Sequence, residues 1–467
     1  MLTVQDLYAV GDGDRNLMEF VRRVIQEHKG SALYNTAKVA DDYDRCRNTT
    51  AMQYQKMITD LTGKRYIDHL ATVHRSTSNF FNIFVTQLNQ YLLGNGVSWK
   101  NGAGERLGAD FDTRLQKAGK AALVGGVSFC FWNLDHMEVF QPYSRDNGCF
   151  APLYDEENGA LAAGVRFWQI DESKPLRATL YEMDGYTSMM WSTAPRLIVG
   201  KQWRKIDEGS YIIDRKPYKI TEQVTDADGT LIYSGENYQS FPIVPLWGNP
   251  HKQSELVGMR EKIDAYDFVL NGWEDDLDNA QLYWIIKGAG GMDDPDLLQF
   301  LDRLRTVKAA APGDGQDVQP VTVEIPVAAR EQLLDRLEKQ LYRDAMIMNP
   351  EDIAGGAATA TQIRAAYERQ NTKADQLEYC VLDFLNGIMA VAGIEDEASF
   401  TRSTVVNTQE EVQTVVLAAD HLSSEYVTRK ILNLLGDGDK AGEVLKQMDA
   451  EDMERLGTVM EDEAANE

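Results

Sequence analysis

The sequence contains no apolar run that approaches the ~18 consecutive residues needed to cross a membrane. Its N-terminus, MLTVQDLYAVGDGDRNLMEF, has neither the basic start nor the apolar centre of a signal peptide. Cysteine is scarce, and the four cysteines are widely spaced: Cys46, Cys130, Cys149 and Cys380. This spacing argues against a disulfide framework and against a zinc site. We therefore expect a cytosolic protein with reduced thiols, no membrane segment and no metal.

The sequence also lacks the short motifs of common enzymes: Gly-x-x-x-x-Gly-Lys-Ser/Thr, His-Glu-x-x-His, Gly-x-Ser-x-Gly and Cys-x-x-Cys are all missing. His69 and His74 are spaced so that a helix would not place them on one face. Asp226, Asp228 and Gly229 lack the glutamate that completes a calcium loop, and a hairpin turn explains them better. We predict that the protein is not an enzyme and has no catalytic residue and no cofactor.

The longest helical pattern lies between Leu256 and Trp284. Apolar or small residues recur there at spacings of three and four: Leu256, Met259, Ile263, Tyr266, Leu270, Trp273, Leu277, Ala280 and Trp284. The pattern predicts one amphipathic helix about 40 Å long. Its other face is polar and mostly acidic, with Arg260, Asp264, Asp267, Asn271, Glu274 and Asp278. A helix of this length needs a neighbour.

A short excursion separates this helix from a second one. YWIIKGAGG from Tyr283 and VQPVTVEI from Val318 have strand character, with a short helical stretch from Asp294 between them. Pro326 then opens a helix that we predict to run to about Ala345. After a linker rich in Gly and Ala, a third helix repeats the apolar spacing, at Ile363, Tyr367, Gln370, Ala374, Leu377, Val381, Phe384, Ile388 and Val391.

The order of these elements and the wording of three segments resemble the portal proteins of tailed double-stranded DNA bacteriophages, of the long-tailed (siphovirus) type. The segments are LVGMREKIDAYDFVLNGWEDDLDNAQLYWIIKGAGG, RLRTVKAAAPGDGQDVQPVTVEIPVAAREQLLDRLEKQLYRDAM and NPEDIAGGAATATQIRAAYERQ. The resemblance is sharpest from about Phe241 to Gly393. It implies an α+β portal fold with a mainly α-helical stem and crown, a β-rich wing and a small α/β clip, in a subunit that forms rings, usually of twelve.

The resemblance also implies a division of the chain. The expected parts are a wing at 1–252, whose helical beginning is followed by an antiparallel sheet from about 126; a first stem helix at 253–283; a clip at 284–325; a second stem helix at 326–345; a tunnel loop at 346–360; a spine helix at 361–396; and a crown at 397–467 with an acidic tail.

The function implied is that of a ring channel at one capsid vertex, through which double-stranded DNA is packaged and ejected. The implied partners are other copies of the chain, the DNA, the terminase large subunit, a head-tail adaptor protein, and the major capsid and scaffolding proteins. The subunit would assemble in the host cytoplasm and end in the virion.

Position in the family's fold selects candidate site residues. The tunnel-loop candidates for facing DNA are Met348, Asn349, Glu351, Asp352, Gly355 and Gly356. On the second stem helix, Arg336, Lys339 and Arg343 fall within about 60° of one another and could face the lumen as basic rings. Alternatively, these three cations pair with Asp267, Glu274 and Asp278 of the first stem helix. The candidate contacts between subunits are Leu256, Ile263, Leu270, Trp273 and Leu277.

The charge balance has two interpretations. The chain has 47 Lys and Arg against 73 Asp and Glu, a net charge of -26. A basic groove would hold DNA in place, whereas a channel through which DNA slides needs a wall that repels phosphates. Acidity also keeps a large protein soluble. Composition does not decide which surface carries the charge.

The remaining patterns predict helices at Leu17 to Glu27, Thr50 to Leu61, about His69 to Leu93 and Phe111 to Val124, and two helical patterns between Thr404 and Leu435, the second capped by Ser423 or Ser424. Two other functions stay open at this point. The helical seams could belong to a coiled-coil scaffold or adaptor that conducts no DNA, or the chain could be an enzyme with an unfamiliar site.

Overall fold

The computed structural model describes residues 2–59, 63–67, 73–192, 200, 202–225, 231–279, 283–287, 317–321, 327–350, 360–403, 408–435, 442 and 444–448. The helices named here are α1 (Val4–Tyr8), α2 (Asp14–Gly30), α3 (Ala32–Asp44), α4 (Thr49–Gln53), α5 (Phe80–Leu93), α6 (Gly104–Leu107), α7 (Phe111–Gly125), α8 (Arg260–Asn279), α9 (Val327–Ala345), α10 (Ala360–Ala392), α11 (Thr408–Leu417) and α12 (Ser424–Leu435).

The strands pair in small antiparallel sheets. They are β1 (Met57–Thr59), β2 (Arg65–Ile67), β3 (Val97–Trp99), β4 (Val127–Asn133), β5 (His136–Phe140), β6 (Cys149–Tyr154), β7 (Leu161–Trp168), β8 (Leu176–Glu182), β9 (Gly185–Trp191), β10 (Arg204–Asp207), β11 (Ser210–Lys216), β12 (Lys219–Thr225), β13 (Leu231–Glu236), β14 (Ile243–Trp247), β15 (Tyr283–Lys287), β16 (Asp317–Val321) and β17 (Ala398–Phe400). The largest sheet has the order β10-β11-β9-β8-β7-β6, and a second has the order β14-β4-β5. The sheet predicted from about residue 126 is therefore confirmed.

Two hydrophobic cores organise these elements. One lies between α2 and the six-stranded sheet, where Val21, Val165 and Leu180 are fully buried. The other joins α5, α7, β4 and β14 to the beginning of α8, the end of α9 and much of α10. Helix α10 lies close to β14, because a Cβ at Gly387 would be only 2.7 Å from a methyl carbon of Val244. The three-stranded sheet and α10 are thus packed against each other.

The three long helices lie in the predicted order, but the first of them is shorter than predicted. Helix α8 begins at Arg260, four residues after Leu256, and ends at Asn279. Gly258 explains the late start, because its φ of +82° is a left-handed conformation that a continuous right-handed helix cannot include. Trp284 belongs to β15 instead. The seam predicted from Leu256 to Trp284 therefore runs about 30 Å as helix, not 40 Å.

The other long elements lie close to where they were predicted. Helix α9 follows Pro326 directly, and α10 ends one residue before Gly393, which has a φ of +68°. Strands β15 and β16 pair from Tyr283 with Val321 to Lys287 with Asp317, which confirms the two predicted strands of the excursion. Ser423 caps α12, since its Oγ accepts a hydrogen bond from the amide of Tyr426 at 3.3 Å.

Two N-terminal helix predictions were wrong in extent. The helix expected from Thr50 to Leu61 ends at Gln53, and Met57 already belongs to a strand. The helix expected from about His69 begins only at Phe80. The predicted turn at Asp226 to Gly229, the helical stretch from Asp294 and most of the acidic C-terminal tail lie outside the described residues.

Residues 73–79, called the strap here, lie along the polar face of α8. Its amides at 78, 76 and 74 donate in turn to side-chain oxygens of Asp267 at 2.9 Å, Asn271 at 2.7 Å and Asp275 at 2.8 Å. Asn271 also donates to the carbonyl of residue 76 at 2.9 Å. The three α8 side chains are 0%, 5% and 6% exposed. Because burial raises the pKa of Asp267, its hydrogen bonds are needed to keep a charged form in place.

Most of the described acidic side chains of α8 are therefore hydrogen-bonded within the subunit. Asp264 accepts hydrogen bonds from Tyr43 and from Thr50, the latter at 2.8 Å. Glu274 accepts from Ser76 Oγ at 2.8 Å. Much of the acidity of this helix is used to bind neighbouring backbone and hydroxyl groups.

We predict that Asn271→Leu lowers the free energy of unfolding by about 1–3 kcal/mol, because the amide and carbonyl of Ser76 lose their buried partners. Urea unfolding would measure the loss, and hydrogen exchange should show faster exchange of strap amides. Asn386→Leu, at an exposed position of α10, is the matched control and should leave both unchanged. Equal behaviour of the two variants would contradict the role assigned to Asn271.

Candidate functional site

The segment between α9 and α10 begins at a junction of three helices. Lys262 of α8 binds Asp344 of α9 at 2.7 Å, and this hydrogen bond holds the pKa of Asp344 below its usual value. Lys373 of α10 binds Glu255 at 2.6 Å and donates to the carbonyl of Ala345, the last residue of α9, at 2.9 Å. A cation at a helix C-terminus is stabilising, so the end of α9 is tied here to the first turn of α8 and to the middle of α10.

The first residues of the predicted tunnel loop are buried and anchored. The amide of Met348 donates to Gln370 Oε1 at 3.0 Å, and its carbonyl accepts from Gln87 Nε2 at 3.1 Å. Met348 is 9% exposed and Asn349 is 7% exposed. This corrects their selection as DNA-facing side chains: they form the root of the loop, where polar anchors fix the backbone. Glu351, Asp352, Gly355 and Gly356 lie outside the described residues.

Arg336, Lys339 and Arg343 are all exposed along α9. Of the acids proposed as alternative partners, Asp267 and Glu274 bind the strap instead. The side chain of Asp278 lies outside the described residues, so its pairing stays a prediction. The ion pairs that join α8 and α9 are instead Lys262 with Asp344 and Arg330 with Asp276.

A cleft of about 300 Å³ opens where α9, the loop root and α10 meet. It is lined by Lys339, Tyr342, Arg343, Ile347, Met348, Asn349, Ala365, Ala366 and Arg369. Two members of the predicted basic stripe therefore share a cleft with Arg369, a cation of the next helix that sequence reasoning did not select.

The candidate subunit contacts divide into two groups. Leu256 and Ile263 are 3% and 0% exposed in the single chain, so they have no surface left for a neighbouring subunit. Their selection is corrected: they belong to the subunit's own core. Leu270 and Trp273 are half-buried, and Leu277 is 55% exposed.

Sequence reasoning also missed the residues that anchor the loop root. Gln370 carried a usable signal, because a glutamine at an apolar seam position predicts a buried hydrogen bond. Gln87 carried none, since it lies far away in the sequence on α5. In the described parts of the chain, no cluster of three or more His, Cys, Asp or Glu side chains has the arrangement of a metal site. No helix there has the length and apolar character of a membrane span.

The sequence is similar to those of known phage proteins. The sequence profile described as "Phage portal protein, SPP1 Gp6-like" matches residues 36–457. The portal protein of Clostridium phage phiCD119 is 25% identical over 203 residues, covering 41% of this chain and 45% of that protein. The portal protein of Bacillus phage SPP1 is 23% identical over 381 residues, covering 77% and 69%. The chain thus matches less than half of the length of the first relative.

The solved structures that are similar to the chain include two from different particles. One is the neck of an empty gene transfer agent particle, at a TM-score of 0.43 and 12% identity, covering 76% of this chain and 90% of that chain. The other is an HK97 family phage portal protein from Corynebacterium diphtheriae, at a TM-score of 0.35 and 11% identity, covering 71% and 96%.

The match over most of the sequence defines the class of the protein as a phage portal protein. The chain belongs to the SPP1 Gp6-like phage portal protein family. The resemblance drawn from the three sequence segments is confirmed, and a portal subunit is favoured over a generic coiled-coil scaffold.

We predict that Gln370→Leu loosens the loop root, because the buried amide of Met348 loses its acceptor. Hydrogen exchange followed by mass spectrometry should show faster exchange in the peptide that contains residues 346–350. Gln376→Leu, an exposed position on the same helix, serves as the control and should have no effect there. Unchanged exchange in Gln370→Leu would contradict the anchoring role of this side chain.

Proposed function

We propose that this chain is the subunit of a ring, with twelve copies as the expected number, that forms a channel at one capsid vertex for packaging and ejection of double-stranded DNA. Membership of the portal family over residues 36–457 is the observation that carries the proposal. The protein acts as a conduit and docking platform and catalyses no reaction.

The long helices suit the wall of such a channel. Helices α8 and α9 lie antiparallel, because Lys262 pairs with Asp344 at one end and Arg330 with Asp276 towards the other. They form the stem, with β15 and β16 as the clip and α10 as the spine. Ion pairs near both ends of the α8–α9 pair keep the channel wall stiff while DNA moves past it.

The partners follow from this arrangement. The clip docks the terminase large subunit during packaging and the head-tail adaptor afterwards, and neighbouring clips extend each other's sheets by strand addition. The wing meets the major capsid and scaffolding proteins. Assembly takes place in the host cytoplasm, and the ring remains in the virion.

The subunit contacts proposed for the stem use the exposed part of α8. Phe268 and Leu277 are 57% and 55% exposed, and their sequence separation places them about 180° apart around the helix. Two apolar positions on opposite sides suit a ring, in which each subunit uses different surfaces for its two neighbours. Leu277, with Leu270 and Trp273 behind it, is the contact on one side.

We predict that Leu277→Asp prevents ring formation, because it places a charge in an apolar contact while disturbing little of the subunit's own core. Electron microscopy in negative stain and sedimentation would measure this: rings with a central hole for the native chain and monomers for the variant. Ile170→Asp, at an 86% exposed position of the wing, is the control and should assemble normally. Intact Leu277→Asp rings would remove this face from the interface, and absence of rings in the native chain would overturn the proposed function.

The loop between α9 and α10 is the proposed DNA-facing element. Its root is fixed by Gln87 and Gln370. The sequence beyond the root has adjacent glycines at 355 and 356, a residue type that allows many backbone conformations.

We predict that replacing both Gly355 and Gly356 with proline leaves rings assembled but reduces the DNA packaged per capsid, because proline fixes φ and removes an amide at each position. Quantifying DNA in purified capsids measures the effect. Replacing both glycines with serine, which retains more backbone freedom, is the comparison and should package more DNA than the proline variant. Normal packaging by the proline variant would show that this segment does not act on DNA.

A further inference from the structure

The cleft at the loop root differs from the surface around it in charge. Its cationic side chains come from two helices: Lys339 and Arg343 from α9, and Arg369 from α10. Among the described residues that line the cleft there is no carboxylate. This is unexpected in a chain whose net charge is -26, and it produces a local positive potential.

A second cleft, in the proposed wing, has cationic side chains that are paired with carboxylates. It measures about 350 Å³ and is lined by both cations and acids. There Lys120 pairs with Asp44 at 3.1 Å, and Arg45 pairs with Asp146 at 2.8 Å. Four of its charged side chains are therefore paired within the subunit.

The cations of the loop-root cleft have no such partners. Within the part of the chain that the structure describes, neither Lys339 nor Arg369 forms an ion pair. Arg343 reaches Asp344 at 3.6 Å, but that carboxylate is already bound by Lys262 at 2.7 Å. The cleft thus presents ammonium and guanidinium donors whose hydrogen-bonding capacity is largely free.

The chemistry of these donors selects an oxyanion. A guanidinium group offers parallel donors that match two phosphate oxygens, and an ammonium group adds a compact charge. The volume of about 300 Å³ accommodates a phosphate group with its solvent. The residues that open the loop also line this cleft, so an anion bound there would lie next to the loop.

We propose that this cleft binds phosphodiester groups of the duplex DNA in the channel, with Arg369 as a contact residue beside Lys339 and Arg343. The inference rests on the proposed portal function. Each subunit presents one small cationic cleft in an acidic protein, so the ring holds DNA through a few weak, exchangeable phosphate contacts. DNA is positioned relative to the loops and still slides.

The carboxylates of Glu351 and Asp352 are also oxyanions, and they follow the loop root in the sequence, directly after Pro350. If they occupied the cleft, DNA would not need Arg369. The test must therefore separate a DNA phosphate from the chain's own carboxylates.

The experiment uses assembled rings of the full chain and a short blunt DNA duplex, with binding followed by fluorescence anisotropy across a series of salt concentrations. Arg369→Gln should weaken binding by about threefold or more at low salt, and should make the slope of log affinity against log salt shallower by about 0.9 for each phosphate that the ring no longer neutralises. Arg369→Lys should restore much of the affinity. Lys38→Gln, which removes an exposed cation of the wing, should bind like the native ring.

A photo-crosslinking amino acid at position 369 tests direct contact. A crosslink to the DNA supports the proposal, and a crosslink to the peptide that contains Glu351 and Asp352, without one to DNA, overturns it. Native affinity in Arg369→Gln, or an equal loss in Lys38→Gln, would also overturn it. All of these outcomes are measured on assembled rings, so they would contradict the phosphate site without contradicting the proposed portal function.

Discussion

The structure depends on a match between two repeats, that of helix α8 and that of the strap. Four residues of an α-helix rise about 6 Å, and two residues of an extended chain rise about 6.6 Å. Asp267, Asn271 and Asp275 follow one another at intervals of four residues. They accept hydrogen bonds from the amides of residues 78, 76 and 74, which follow one another at intervals of two. The two repeats stay in register over three hydrogen bonds. Polar side chains therefore join α8 to the strap, beside the apolar contacts that Ile263 makes in the core.

This polar attachment determines what the rest of α8 can do. One side of the helix binds the strap, and its beginning is buried in the subunit's core through Ile263. The acids on the covered side cannot line a channel, because their oxygens are already hydrogen-bonded within the subunit. The surface charge that DNA would meet must therefore come from other residues. Net charge alone could not have located it, since several of the carboxylates of α8 serve the fold.

The parts of the structure that the sequence predicted well are those with a long, unbroken apolar period. Helices α9 and α10 carry such a period, and both lie close to their predicted limits. The beginning of α8 was misplaced because Leu256 and Met259 fit the helical spacing, although Gly258 between them adopts a left-handed conformation. Periodicity records which residues are buried, but it does not record backbone conformation at a single glycine.

The candidate site was predicted less well, and for a different reason. The strap is polar and has no period, so nothing in its sequence indicated that its backbone binds α8. The loop root was treated as part of a loop because Met348 and Asn349 follow the last apolar turn of α9. Their burial depends on Gln87, which is distant in the sequence. Contacts of this kind are tertiary, and a local pattern cannot indicate them.

The anchored root joins the end of α9 to α10 through two polar side chains. Lys373 fixes the last carbonyl of α9, and Gln370, one helical turn away, fixes the amide of Met348. Both side chains belong to α10, so the end of α9 and the root of the loop are held by one rigid helix. Force applied to the loop is then transmitted to α10 and its core contacts, and not to the α8–α9 pair alone. The strap holds α8 on its polar side, so the wall resists displacement from two independent attachments.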